Sequence, residues 1–209
     1  METSRAGRIM MPHFIRHDFL PPEAQATLLD WSLDNEQRFK PADLAGGAVD
    51  PTIRRSLSLR DLGPMKSVFE QRITEETPAL IAALRVTPFE ASQIELELVA
   101  HNDGAHFLLH SDLYTVTRSK RGDRMLSAVY YFHREPKGFS GGCLRLHRFG
   151  AQRGDEGKDI PPEQNSLVVF PSWGPHEVLP VRCPTRAFAD SRFAVNCWVY
   201  RAPKEAASR

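Results

Sequence analysis

From Ile94 onward the apolar residues of this chain recur at every second position, and a period of two dictates a sheet. In "IELELVAH", Ile94, Leu96, Leu98 and Ala100 alternate with Glu95, Glu97 and Val99. Successive strand side chains point to opposite faces, so one set enters a core and the other faces something else. Further β-rich runs are "MLSAVYYFH" (125–133), "GCLRLHRF" (142–149), "SLVVFP" (166–171), "HEVLPV" (176–181) and "RFAVNCWVY" (192–200), parted by the turns "NDG", "FSGG" and "PSWG".

Ahead of this region the period is helical. "PPEAQATLLDWSLDNEQRF" has Pro22 near a helix start, Glu23 in the first turn, and Ala24, Leu28 and Trp31 on one face. A second helix begins near Pro64, with Val68, Phe69 and Ile73 sharing a face. Pro78, with Thr77 as N-cap, is expected to break it and restart a short helix through Leu84. Between the helices, alternation at Ile53, Leu57 and Leu59 suggests one or two edge strands.

Helices followed by many short strands imply a mainly β fold, a β-sandwich or jelly roll with helical support. At 209 residues and 41% hydrophobic, the chain fits one domain, with helical support over about 1–90 and a β unit over about 91–202. "GAQRGDEGKDIPPEQN" reads as a long exposed loop, "RSKRGDR" (118–124) as a solvated basic loop, and "KEAASR" as a frayed tail.

A formal net charge of +1 gives no electrostatic case for nucleic acid or a membrane surface, and no apolar run approaches a membrane span. Cys143, Cys183 and Cys197 show no metal-type spacing, and with no signal-peptide pattern they read as reduced thiols of a cytoplasmic protein.

The chemistry begins in "LLHSDLY" (108–114). His110 and Asp112 lie two apart and share a strand face, which fits either two metal ligands or a solvated polar edge. His176, after the turn in "FPSWGPHEVLPV", supplies a third candidate. Two histidines and one carboxylate form the facial set of non-haem Fe(II) oxygenases, with positions left open for other ligands. His101, His106, His133 and His147 lie on or beside strands and compete for the role. Arg192 opens an apolar strand, where a guanidinium pairs bidentately with a buried carboxylate. Tyr130 and Tyr131 point to opposite faces, so one of them turns inward.

In order, "HSD", "VYYF…FSGGCLRL", "SLVVFPSWGPHEV" and "RFAVNCWV" resemble the 2-oxoglutarate/Fe(II)-dependent dioxygenases, in their prolyl 4-hydroxylase-like branch. The likeness covers roughly residues 94–200. It implies a double-stranded β-helix (jelly roll), with Fe(II) held by His110, Asp112 and His176. It also implies 2-oxoglutarate bound through its distal carboxylate to Arg192, an assisting hydrogen bond from Tyr131, and ascorbate as an accompanying reductant. The implied activity is hydroxylation of a C–H bond in a prolyl residue, amino acid or related metabolite, with release of succinate and CO2.

The chain departs from that pattern twice. Arg186 stands at the spacing from His176 that close relatives use, and choosing Arg192 makes residues 183–191 a local insertion. Ala100 and His101 stand where some relatives carry a tyrosine. Arg54 and Arg55 fall in a segment that often covers the active site in such folds; they read first as surface ion-pair partners and second as partners of a substrate carboxylate. Trp173 is a pocket wall or core. The competing readings are a cupin-like metal enzyme that does not use 2-oxoglutarate and a non-catalytic jelly-roll binding module.

Overall fold

The computed structural model describes residues 10–44, 46–113 and 122–203. In chain order, strand β1 (Phe14–Arg16) leads into helix α1 (Pro22–Asp34), and β2 (Lys40–Pro41), β3 (Arg54–Arg55) and β4 (Leu57–Leu59) precede helix α2 (Met65–Leu84). The long strand β5 (Ala91–His101) is followed by β6 (His106–His110) and β7 (Asp123–Phe132). Short strands β8 (Ser140–Gly141), β9 (Leu144–Leu146) and β10 (Lys158–Ile160) come next, then β11 (Ser166–Pro171), β12 (His176–Val178), β13 (Val181–Arg182) and β14 (Arg192–Arg201).

These strands form a seven-stranded sheet in the order β1-β11-β7-β14-β5-β4-β2, a five-stranded sheet β10-β9-β12-β6-β3, and the pair β13-β8. Neighbouring strands run antiparallel throughout. The large sheet separates two apolar regions. On its outer side Leu98, Tyr130, Leu167 and Val195 meet Phe19, Leu28, Phe69 and Ile73 of the helical segment. On its inner side Tyr131, Val168, Phe170 and Ala194 pack against Leu144, Leu146 and Ile160 of the small sheet.

Alternation therefore decides which residues the interior receives. In β14, Phe193, Val195, Cys197 and Val199 turn toward the helices, which leaves Arg192, Ala194, Asn196 and Trp198 on the inner face. The same phase turns Glu97, Val99 and His101 of β5 inward, along with Ser127, Val129 and Tyr131 of β7. The inner face of three adjacent central strands is thus unusually polar.

Several expectations are corrected. Pro78 does not break the second helix: α2 runs unbroken for 20 residues with Pro78 inside it. Proline forfeits one backbone hydrogen bond, but Pro78 is exposed, so the freed carbonyl meets water. The stripe Phe69, Ile73, Leu80, Ile81 and Leu84 is buried on both sides of it. Thr77 is no N-cap; its hydroxyl donates to Ile73 O at 2.6 Å. The run at 176–181 divides into two strands at Leu179-Pro180, and the loop expected at 150–165 contains β10, whose Ile160 is buried on the inner core.

Of the basic run, residues 118–121 lie outside the described residues, as does the tail 204–209. Arg124 is not part of a solvated loop. It sits on β7, donating Nε to Tyr200 Oη (2.7 Å) and Nη2 to Glu95 Oε2 (2.9 Å), with its guanidinium 4.0 Å from the Trp198 ring centre.

Helix α2 closes on Arg85, a non-glycine residue in the left-handed region at φ 53°, with Arg85 N–H donating to Ala82 O and Val86 N–H to Ile81 O. A side chain there costs on the order of 1 kcal/mol, partly offset because glycine loses more freedom on folding. Arg85→Gly should stabilise the protein by about 0.5 kcal/mol in urea unfolding; a loss of stability would show that the arginine side chain contributes more than its backbone costs.

Candidate metal centre

His110 ends β6 and His176 begins β12, and the register sets them directly opposite each other. Asp112 follows β6, its backbone N–H donating to Ser172 O at 2.9 Å. His110 Nε2 stands 3.8 Å from Asp112 Oδ1, and His176 Nε2 3.6 Å from Asp112 Oδ2. One donor atom from each of the three lies within 4.8 Å of the others, close enough for one metal ion to draw on all three.

The other ring nitrogens set the tautomers. His110 Nδ1 lies 2.7 Å from Leu108 O and His176 Nδ1 2.9 Å from Gly174 O. A carbonyl only accepts, so Nδ1 carries the proton in both rings and Nε2 presents its lone pair to the centre. Phe107 stacks on His110 at 3.6 Å, and Phe170 meets His176 edge-on at 4.7 Å. Ser127 Oγ donates to Asp112 Oδ2 at 2.6 Å and lies 2.9 Å from Ser172 Oγ.

Protonation states match this donor set. Burial and then the charge of His176 push His110 down to about 3, against the pull of Asp112. Burial pushes the Asp112 carboxyl up, but His176, His110 and hydrogen bonds from Ser127 and Trp198 hold it below its ordinary value. At neutral pH the cluster offers a neutral imidazole at His110 and an ionised carboxylate, the forms that bind metal.

These three side chains open on a cavity that is also lined by Arg54, His101, Leu144, Arg192, Asn196 and Trp198. Arg192 is 1% exposed and its guanidinium lies 4.7 Å from the ring centre of Tyr131, itself 0% exposed. Arg192 Nε, Arg192 Nη2 and Tyr131 Oη are buried without a hydrogen-bond partner. Orphaned donors of this kind are costly unless an anion completes them.

The double glycine frames this corner. Gly141 and Gly142 adopt φ 72° and 68°; a Cβ on Gly141 would stand 2.5 Å from Pro180 O, and one on Gly142 2.7 Å from Arg192 Cδ. Arg186, the alternative anchor, is 79% exposed in its side chain and pairs with Asp103 at 3.3 Å. The segment 183–191 that separates the two arginines carries a short 3-10 turn, Phe188–Asp190, outside the sheets.

The four competing histidines have other partners. His101 Nδ1 meets Arg192, His106 Nδ1 meets Gly104 O, His133 Nδ1 meets Arg134 O, and His147 Nε2 meets Glu177. Trp173 packs against the helix-side core. Tyr130 turns to that side too, its hydroxyl donating to Asn165 at 2.9 Å.

Arg54 is not a surface residue. It is buried, donates to Glu97 Oε2 (2.8 Å), Ser56 Oγ (3.2 Å) and Asp43 O (3.0 Å), and lies 5.1 Å from the ring centre of Phe107. Sequence reasoning also missed Ser127, Phe107, Glu97 and Asn196. The inward phase of β5, β7 and β14 was the available signal for all but Phe107.

Residues 96–200 match the family model of the 2OG-Fe(II) oxygenase superfamily. An uncharacterized PKHD-type hydroxylase of Synechocystis sp. is 34% identical over 187 residues, 87% of this chain, and the match spans 61% of that relative's length. Among solved structures, a Pseudomonas putida prolyl-4-hydroxylase superposes with TM-score 0.65 at 23% identity, over 91% of this chain and 93% of that one. A Trichoplax adhaerens prolyl hydroxylase, in complex with a hypoxia inducible factor peptide fragment, gives 0.66 at 19% identity, over 91% and 84%. At these identities the structural likeness speaks for a shared fold.

The hydrogen bond from Ser127 to Asp112 makes a quantitative prediction. His176→Ala should abolish Mn(II) binding in anaerobic calorimetry, whereas Ser127→Ala should weaken it about 10–100-fold, as loss of an orienting partner does. Equal affinity in wild type and Ser127→Ala would remove the serine from the account of the centre.

Proposed function

The chain belongs to the 2OG-Fe(II) oxygenase superfamily, and on that premise we propose that His110, Asp112 and His176 are its iron ligands and that Arg192 and Tyr131 receive 2-oxoglutarate. The enzyme is a dioxygenase of this family, with Fe(II) and 2-oxoglutarate as its cofactors. The proposed reaction hydroxylates a C–H bond of a prolyl residue, amino acid or related metabolite, on a jelly-roll scaffold. One observation carries the assignment: three convergent metal-type donors share a cavity with a buried guanidinium whose Nε and Nη2 are unpaired.

Bound together, Fe(II) and 2-oxoglutarate supply the oxidising chemistry with O2, yielding succinate and CO2 beside the hydroxylated product. The protein's part is to bind, orient and exclude water. Two neutral imidazoles and one carboxylate leave a divalent ion with net positive charge, so an anionic chelating group is favoured at the open positions. Arg192 compensates the far carboxylate and gains the partners its Nε and Nη2 lack. Tyr131 stays protonated, since burial outweighs the opposing charge of Arg192 and pushes its pKa up to about 12; its hydroxyl therefore remains a donor.

Beyond the ligands, a groove lined by Asp43, Leu44, Arg60, Phe107, Leu113 and Trp198 leads to His110 and Asp112. The groove is mainly charged, with Leu44, Phe107, Leu113 and Trp198 as its apolar part; that mixture suits a pyrrolidine ring or a short aliphatic side chain carried on a polar backbone. The prolyl hydroxylases among the structural neighbours favour the prolyl reading.

Succinate release, followed with proline-containing peptides and with free amino acids, tests the function. Turnover stimulated by a peptide and lost in Asp112→Ala supports the prolyl reading; stimulation by amino acids alone directs it to a metabolite, and no 2-oxoglutarate turnover with any substrate contradicts it. Gly142→Ala, by crowding Arg192 Cδ, should raise the KM for 2-oxoglutarate about tenfold, the equivalent of roughly one hydrogen bond, while Mn(II) affinity stays at the wild-type value.

A further inference from the structure

Register places His101 of β5 directly across from Arg192 of β14. Both are buried, at 4% and 1% exposure, and both line the iron-site cavity. Arg192 Nη1 lies 3.2 Å from His101 Nδ1. A guanidinium has only donors, so the contact forms when Nδ1 is the acceptor, the imidazole is neutral and its proton sits on Nε2. Burial and then the charge of Arg192 disfavour the imidazolium, which agrees with that tautomer.

We propose that His101 is a positioning residue for 2-oxoglutarate, holding Arg192 by an uncharged acceptor so that the remaining donors face the distal carboxylate. The proposal rests on the reading of Arg192 as the co-substrate anchor. The chemistry of the position explains why neutrality matters. A carboxylate opposite Arg192 would orient it equally well but form an internal ion pair and compete with the ligand. An aliphatic side chain would leave the charge intact but release Nη1, adding a third orphaned donor to Nε and Nη2. Neutral imidazole Nδ1 fixes the fork and leaves the full positive charge to the dicarboxylate. Arg54, a second cation on this cavity, is occupied by Glu97 at 2.8 Å, so it does not offer the same free charge.

The test compares His101→Asn, which keeps an uncharged acceptor near the Nδ1 position, with His101→Asp, which has nearly the same shape and adds a charge. His101→Leu removes the acceptor. The readout is the dissociation constant of 2-oxoglutarate, titrated anaerobically into the Fe(II) protein through its metal-to-ligand charge-transfer band, with Mn(II) affinity measured in parallel. Affinity within about threefold of wild type is expected for His101→Asn, a loss of about tenfold for His101→Leu, and a larger loss for His101→Asp, with Mn(II) affinity unchanged in all three. Combining His101→Leu with Arg192→Ala should weaken binding no further than Arg192→Ala alone.

Equal 2-oxoglutarate affinity in the Asn and Asp variants, in a protein where Arg192→Ala is impaired, overturns the role of His101 alone. Wild-type affinity in Arg192→Ala overturns the anchor beneath it. Should His101→Leu fail to fold, the Asn and Asp pair still decides the matter, because a packing role would affect the two alike.

Discussion

The centre depends on the antiparallel register between β6 and β12. Pairing His110 with His176 brings two imidazoles to one point from sequence positions far apart, and Asp112 is carried to them by its own backbone bond to Ser172. A slip of one residue in either strand would turn its histidine to the opposite face of the sheet, away from the other. The register is held from both sides: Leu146 and Leu144 of β9 pair with His176 and Val178, and Arg54 of β3 pairs with Phe107 on β6. Phe107 then stacks on His110, so Glu97, Arg54, Phe107 and the metal-facing ring form one continuous packed series.

Behind this centre the large sheet carries polar groups at a depth where apolar residues would stabilise the fold more. Arg192 opens the largely buried strand β14 with two unpaired donors. Removing it or pairing it with a carboxylate would relieve the cost. That it stands open, with Tyr131 beside it and no Cβ at Gly142 to crowd it, is what a dicarboxylate site requires. The helix side of the same strands shows the contrast: there Phe193, Val195, Cys197 and Val199 meet an apolar layer. One strand thus divides its faces, an apolar core layer outward and the polar lining of the cavity inward.

Much of this was legible in the sequence because alternation is a geometric rule. The runs at 94–101, 166–171 and 192–200 lie within observed strands, and Tyr130 and Tyr131 do point to opposite sides. The phase of "RFAVNCWVY" alone places Arg192, Asn196 and Trp198 together. What local pattern hides is the compensation between distant parts. Nothing near Pro78 reveals that an exposed proline can ride on a well-buried helix, and nothing in "TIRRS" reveals that Arg54, unlike Arg55, is buried against Glu97 43 residues away. Likewise His101 resembles the other strand histidines until the partner strand sets Arg192 opposite it.

The central claim is that one metal and one dicarboxylate share the interior of this sheet pair. Crystals grown anaerobically with Mn(II) and 2-oxoglutarate, measured at the manganese absorption edge, test it directly. The account predicts a single strong anomalous peak bonded to His110 Nε2, an Asp112 carboxylate oxygen and His176 Nε2, with the distal carboxylate of 2-oxoglutarate on Arg192. A peak away from these three atoms, or a carboxylate held by Arg186 instead, would contradict it.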